Sequence, residues 1–344
     1  MTIVAGLDVG GAHLKVSLVE DATPIAARQY LCPLWQGLDH LDTALREAEE
    51  LTGRADAFAI TMTGELSDLF ETREQGVQTL VDRLTEKFGT AARFWGGQKF
   101  FDTANDAKTN FFDVASTNFL ATATLAGQRL AATGQSANAL LIDMGSTTTD
   151  LIPIVAGAPT PRGLTDPDRL TSGELVYTGL TRTSVMAVCT RAPFAGRWQS
   201  LAREYLATMA DVRRVLGCLP DGLDVHATAD GRGKSQAESV ARFARMFCRE
   251  PADADLATWQ QAAQHVVELQ LRSIQEGCAQ VLSGVPRADI IVATGLDTSV
   301  ATEISRRLQR PCQTFSQLVG TPANLQAAVD CNAPAVAVAL LRGE

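Results

Sequence analysis

Apolar residues run in short blocks along the chain, broken by glycines and charged pairs. Residues 3 to 31 hold three such blocks, IVAGLDV, HLKVSLVE and PIAARQYLC, joined by turns at Gly10-Gly11 and Asp21-Ala22, and predict three strands. Leu38 to Leu51 has its apolar positions (Leu38, Leu41, Leu45, Ala48, Leu51) at helical spacing, with Gly53 as the stop. AFAITMTG (57–64) predicts a buried strand, Gln75 to Phe88 a helix ended by Gly89, ARFWGG a short strand, and Val114 to Ala132 a long Ala/Leu/Thr helix closed by Gly134. At Asn138 the pattern restarts. LLIDMG and TDLIPIVAG predict two strands, DIIVATG (289–295) a third with a helix to Leu308 behind it, CQTFS a short strand, and Asn332 to Leu341 a final helix. Strands first, then helix and strand in alternation, twice over, predict a duplicated α/β architecture with mixed sheets.

The duplication is visible in residues as well as in pattern. LDVGGAHLKVSL aligns without gaps on IDMGSTTTDLIP, so that Asp8 falls on Asp143, Gly10 on Gly145 and Lys15 on Asp150 at an offset of 135. This predicts a first domain over 1–135 and a second over 136–344, with Gly134-Gln135-Ser136 as the crossing. The stretch from about 159 to 255 fits neither half and reads as an insertion, helical in its latter part.

Composition narrows the function class. A net charge of −9 with no basic block argues against nucleic acid as the main partner. The seven cysteines are scattered and never form CxxC, which suits reduced thiols in a cytoplasmic protein rather than disulfides or a zinc site. No apolar run approaches the roughly 20 residues that span a bilayer, and Asp8 interrupts the N-terminal one, which lacks a basic leader. A soluble protein without membrane partners is expected. Oligomeric state is not readable.

The two Asp-x-Gly turns are the strongest chemical signal. A tight hairpin at glycine exposes successive backbone N–H groups and admits a ligand close to the main chain. Gly10, Gly11 and Gly145 provide that backbone, and Ser146, Thr147, Thr148 and Thr149 add hydroxyl donors. Such turns suit phosphate. Lys15 would be a point charge for it, while Asp8 and Asp143 would hold Mg²⁺ through water, with Asp150 beside them. One such turn is more often an ordinary hairpin; two at equivalent positions are not. DIIVATGLDTS brings Gly295 to a strand-to-helix turn, again suited to an anion. Glu65, just past a buried strand, reads as a base or metal ligand, or equally as a carboxylate favourable to a helix N-terminus. TDPDRLTSGELVYTG, with Glu174, and the nearby Arg182 read as substrate-contacting or as a solvated loop. TADGRGKS, with Asp230 and Arg232, reads as a mobile phosphate-contacting loop or an exposed turn.

Together the DxGG…K hairpin, IDMGSTTTD and the late ATG turn resemble the superfamily of actin, sugar kinases and Hsp70-type ATPases, with close similarity to the hydantoinase/oxoprolinase group. The phrases GLDVGGAHLK, TMTGELSD, LLIDMGSTTTDLIPI, RLTSGELVYTGLTRT and TADGR, spread from residue 6 to about 250, are similar to a narrower family linked to one-carbon transfer on methanofuran and tetrahydromethanopterin. The resemblance implies two ribonuclease-H-like domains around a central cleft. It also implies ether formation between a furfuryl diphosphate and a phenol, with the hairpins gripping the diphosphate, Mg²⁺ as cofactor and ATP not required. Glu65 or Glu174 would take the phenolic proton. An ATP-dependent kinase or hydantoinase-like enzyme, and a non-catalytic nucleotide-binding protein, are the alternatives. Leu296 directly after Gly295 weakens the case for adenine.

Overall fold

In the computed structural model, which describes residues 2–134, 137–285 and 287–343, the three N-terminal blocks form an antiparallel meander of β1 (Ile3–Val9), β2 (His13–Glu20) and β3 (Thr23–Leu31). β1 is buried along almost its whole length, because it lies in the middle of the sheet with both faces covered. β4 (Ala57–Met62) and β5 (Ala92–Trp95) extend the sheet in parallel, and β6 (Phe100–Phe101) closes it, giving the order β3-β2-β1-β4-β5-β6.

The second sheet repeats the plan. β7 (Ala139–Met144) and β8 (Thr149–Val155) pair antiparallel, with β9 (Ala158–Pro159) and β10 (Leu175–Val176) on β8. β11 (Arg191–Phe194) and β12 (Arg197–Ser200) form a separate hairpin. β13 (Ile290–Gly295) and β14 (Cys312–Thr314) then add in parallel to β7, for the order β10-β8-β7-β13-β14. The expected crossing at Gly134-Gln135-Ser136 falls partly on Gln135 and Ser136, which lie outside the described residues.

Tertiary context redraws several predicted elements. The helix expected over Leu38–Leu51 is two, Asp39–Glu47 and Glu49–Thr52, parted at Ala48. The one expected over Val114–Ala132 is also two, Phe111–Val114 and Asn118–Ala132. Between them Ala115 bridges to Met62 at the end of β4, and Ser116 turns left-handed with φ 55°. A strand-like contact with the sheet overrides helix propensity there. CQTFS is strand only to Thr314, whose hydroxyl caps the turn Phe315–Leu318. The 29-residue helix Leu256–Gly284 was not foreseen, although Asp255 caps it and Trp259, Ala262, Ala263, Val266 and Val267 mark its buried face.

The last helix, Ala333–Gly343, packs back across β1, β2 and β4 and against Asn118–Ala132. Its approach requires glycine at position 6, where a Cβ would stand 1.8 Å from the Ala335 carbonyl oxygen. One apolar cluster containing Val4, Ala59, Leu125, Leu141, Ile154 and Val336 joins the two sheets. Truncating one such buried Leu or Ile to Ala costs about 2–5 kcal/mol. That shared core fixes the two sheets against each other and sets the cleft between their hairpins.

Candidate active site

The two Asp–Gly turns fold alike. Gly10 N–H donates to the His13 carbonyl and Gly145 N–H to the Thr148 carbonyl, each at 2.9 Å. Registers match as well, with Asp8 opposite Lys15 on β1/β2 and Asp143 opposite Asp150 on β7/β8. All four side chains line one cleft of about 700 Å³ between the sheets.

The cleft floor carries excess negative charge. Asp8 is buried and holds Lys15 Nζ at 3.4 Å, with Asn118 Nδ2 at 3.5 Å on its other side. Burial pushes the Asp143 carboxyl up to about 7; Asp150, Asp8 and Asp330 push the same way against the pull of Lys15. Burial by itself would lower the Lys15 pKa, yet Asp8 and Asp143 hold it above its ordinary value. Asp330 is likewise pushed up to about 6 by burial, although it accepts from the Ser316 N–H and hydroxyl. Asp8 and Asp143 are hard oxygen donors that suit a divalent cation, whose charge would relieve this repulsion. Among the described residues no three His, Cys, Asp or Glu side chains converge on a metal position.

Ser146, Thr147 and Thr148 line the same cleft, together with Gly10, Gly11, Gly145 and Gly295. Gly295 has φ 107°, and a Cβ there would lie 2.4 Å from the Met144 carbonyl oxygen, so only glycine lets the ends of β7 and β13 meet. Arg182 donates to Thr147 Oγ1 at 3.3 Å and lies 6.0 Å over the Trp35 ring, reaching from one half of the cleft to the other. Asp150 is held by Arg169 Nη2 at 2.6 Å, and the Arg169 guanidinium lies 3.8 Å over the Phe119 ring.

Several predicted residues stand apart. Thr149 is fully buried, and its hydroxyl donates to the Thr178 carbonyl at 2.7 Å, so it is not a free donor for phosphate. Glu174 does not line the cleft: its carboxylate accepts from the backbone N–H groups of Arg162 (2.7 Å) and Gly163 (3.2 Å), which makes it a brace for that loop rather than a base. Asp230 binds Arg242 at 3.0 Å, Arg232 is exposed, and neither reaches the cleft. Their loop does touch the site edge through His226, whose ring meets that of His13 at 5.3 Å. Glu65 is buried behind the wall, its Oε1 accepting from the Ser116 hydroxyl at 2.5 Å.

Ser116, Asn118 and Trp35 were not foreseen in the site, nor was the influence of Asp330 on Asp143. The signal for the first two is a polar Ser-Thr-Asn run near the start of what reads as one continuous helix over Val114–Ala132. Trp35 is brought to the cleft, and Asp330 within range of Asp143, from elements remote in the chain.

Two ribonuclease-H-like domains with mixed sheets, each presenting an Asp–Gly hairpin to one central cleft, define a protein of the actin-like ATPase fold. Acetone carboxylase in its nucleotide-free structure superposes with a TM-score of 0.53 at 11% identity, covering 96% of this chain and 70% of that one. The model of the hydantoinase/oxoprolinase family matches residues 56–316. The chain belongs to this family. A relative from Methanocaldococcus jannaschii, (4-{4-[2-(gamma-L-glutamylamino)ethyl]phenoxymethyl}furan-2-yl)methanamine synthase, is 31% identical over 248 residues, 72% of each chain. The synthase of the same name from Methanococcus vannielii is 34% identical over 113 residues, 33% of this chain and 50% of that one.

Proposed function

We propose that this chain is a transferase of methanofuran-type cofactor synthesis. It would join an aminomethylfuran-methyl diphosphate to the phenol of a glutamylated tyramine or tyrosine. The observation that carries this reading is a single cleft with phosphate-type turns on its floor and exposed aromatic side chains on its walls. Trp35 is 42% exposed and Tyr177 66%, two flat surfaces suited to furan and phenol rings. The similarity to synthases whose named product is a phenoxymethyl furan supports the same bond.

In this reading the bond from the furfuryl carbon to the diphosphate oxygen breaks, and its electron pair leaves with diphosphate. The furan ring shares the positive charge at carbon, the phenol oxygen forms the new C–O bond, and its proton departs. Lys15 and the hydroxyls of Ser146, Thr147 and Thr148 would bind the departing charge. Asp8 and Asp143 would hold Mg²⁺, which when bound neutralises diphosphate. The aromatic walls would set the phenol against the carbon, converting a two-body encounter into a local one. Among the described residues no single helix is long and apolar enough to cross a membrane. The described cysteines are all free thiols, which supports a cytoplasmic setting.

The test is an incubation with Mg²⁺, the furfuryl diphosphate and glutamyl-tyramine or glutamyl-tyrosine, without ATP. Phenol-dependent release of diphosphate together with ether product is expected. Silence with every phenol, followed by ADP formation once ATP is added, would replace this reading with a kinase-like one.

A further inference from the structure

Glu65 is 2% exposed, and the burial that encloses it raises its pKa. Its Oε1 accepts a hydrogen bond from the Ser116 hydroxyl, while Oε2 is buried with no partner among the described residues. Leaving a buried carboxyl oxygen unpaired costs about 1–3 kcal/mol. Ser116 adds to that cost: it is a non-glycine residue at φ 55°, held there because Ala115 before it bridges to Met62. Two costly features therefore meet at one hydrogen bond. Ser116 lines the cleft and Glu65 lies behind it. With its proton directed at Glu65, the Ser116 oxygen is free to accept a hydrogen bond from a ligand. The charged groups acting on Glu65 are Arg73, which favours its ionised form, and Asp166, which opposes it.

We infer that Ser116 and Glu65 form a two-step proton relay for the hydroxyl of the acceptor, an inference that rests on the transferase reading above. The phenolic O–H breaks as the oxygen bonds to the furfuryl carbon, and the proton passes to Ser116 Oγ. Ser116 gives its own proton to Glu65, and diphosphate leaves with the electron pair of the broken C–O bond. Glu65 returns the proton to solvent after product departs. Ser116 is the group that meets substrate; Glu65 acts through it.

The test uses Glu65→Gln and Ser116→Gly with a series of fluorinated phenol acceptors of falling pKa. Glycine suits the left-handed backbone at 116, so that variant removes the hydroxyl without straining the fold. With an unsubstituted phenol, both variants are expected to lose about 100-fold in kcat, with KM for the diphosphate donor nearly unchanged. The loss should shrink to a few-fold with the most acidic phenol, which arrives already ionised. An equal loss at every phenol pKa would mark a structural role and overturn the relay, as would wild-type rates in both variants. If Glu65→Gln fails to bind inorganic diphosphate by calorimetry, it is misfolded and Ser116→Gly decides alone. Wild-type protein that forms no ether with any phenol overturns the transferase reading and the relay together. Active wild type with unaffected variants overturns the relay only.

Discussion

The two hairpins share backbone, register and closing hydrogen bond, yet differ in the charge carried just past the turn. On β2 the residue opposite Asp8 is Lys15, and the pair is nearly neutral. On β8 the residue opposite Asp143 is Asp150, so two carboxylates face the cleft and need Arg169 from a later segment. A duplicated turn has thus diverged into a cation-bearing jaw and an acidic, hydroxyl-bearing one. In the transferase reading proposed above, the two jaws would serve two parts of one charged ligand. Lys15 suits direct contact with phosphate, and the second jaw suits a metal and its water shell.

Breaking the acidic jaw should have the largest effect. Asp143→Ala is expected to lower turnover by at least about 1000-fold while the protein stays folded, read by diphosphate release and circular dichroism. Asp143→Asn sharpens the same point through stability. The Asp143 pKa is raised from 3.8 to about 7 in the folded, ligand-free protein. The folded state therefore keeps a proton that the unfolded chain releases, and stability falls as pH rises from 3.8 to 7. Asn removes that penalty. The variant should be more stable than wild type by about 2 kcal/mol at pH 8, a value discounted because the side chain still meets cleft water, and no more stable at pH 3. Denaturant unfolding at the two pH values checks this; equal stability at pH 8 would show that Asp143 carries no such burden.

Lys15→Ala should cost about 100-fold in kcat/KM, because it removes the cation proposed to meet diphosphate and takes the ion-pair partner from Asp8. A loss confined to the phenol KM would place Lys15 elsewhere in the reaction. The smallest contrast lies within the hydroxyl run. Thr147→Ala should lower the rate about tenfold with little change in melting temperature. Thr149→Ala, two residues on, should cost about 1 kcal/mol of stability through the buried Thr178 carbonyl and leave the rate alone. The opposite pattern would reverse the assignment of the two side chains.

Much of the architecture was legible because it is local. Continuous apolar blocks ending in Asp-x-Gly give the strands and turns wherever the chain goes next, and two gap-free copies of one motif give the duplication. The residues misplaced in the site share one cause. Thr149 and Thr148 are neighbours of like chemistry, but Thr148 still belongs to the turn and lines the cleft, while Thr149 opens β8 and gives its hydroxyl to the Thr178 carbonyl, just past β10. Glu174 and Glu65 both come directly after Gly in similar tetrapeptides; neighbours distant in sequence decided that one braces a loop and the other faces a hydroxyl. Ser116 and Asn118 were hidden inside a helical pattern.

The sequence by itself determined the main strands of the two sheets, the two Asp–Gly turns, the acidic balance and the absence of a membrane-length apolar run, since each depends on residue type at short spacing. Tertiary structure alone decided that the C-terminal helix returns to the first sheet, that the chain breaks at Ser116, and which carboxylates crowd together. Those outcomes depend on burial and on pairings between residues more than 50 positions apart, such as Glu65 with Ser116 and Asp8 with Asn118. No local pattern encodes them, because the desolvation that shifts a carboxyl pKa exists only once the core has closed around it.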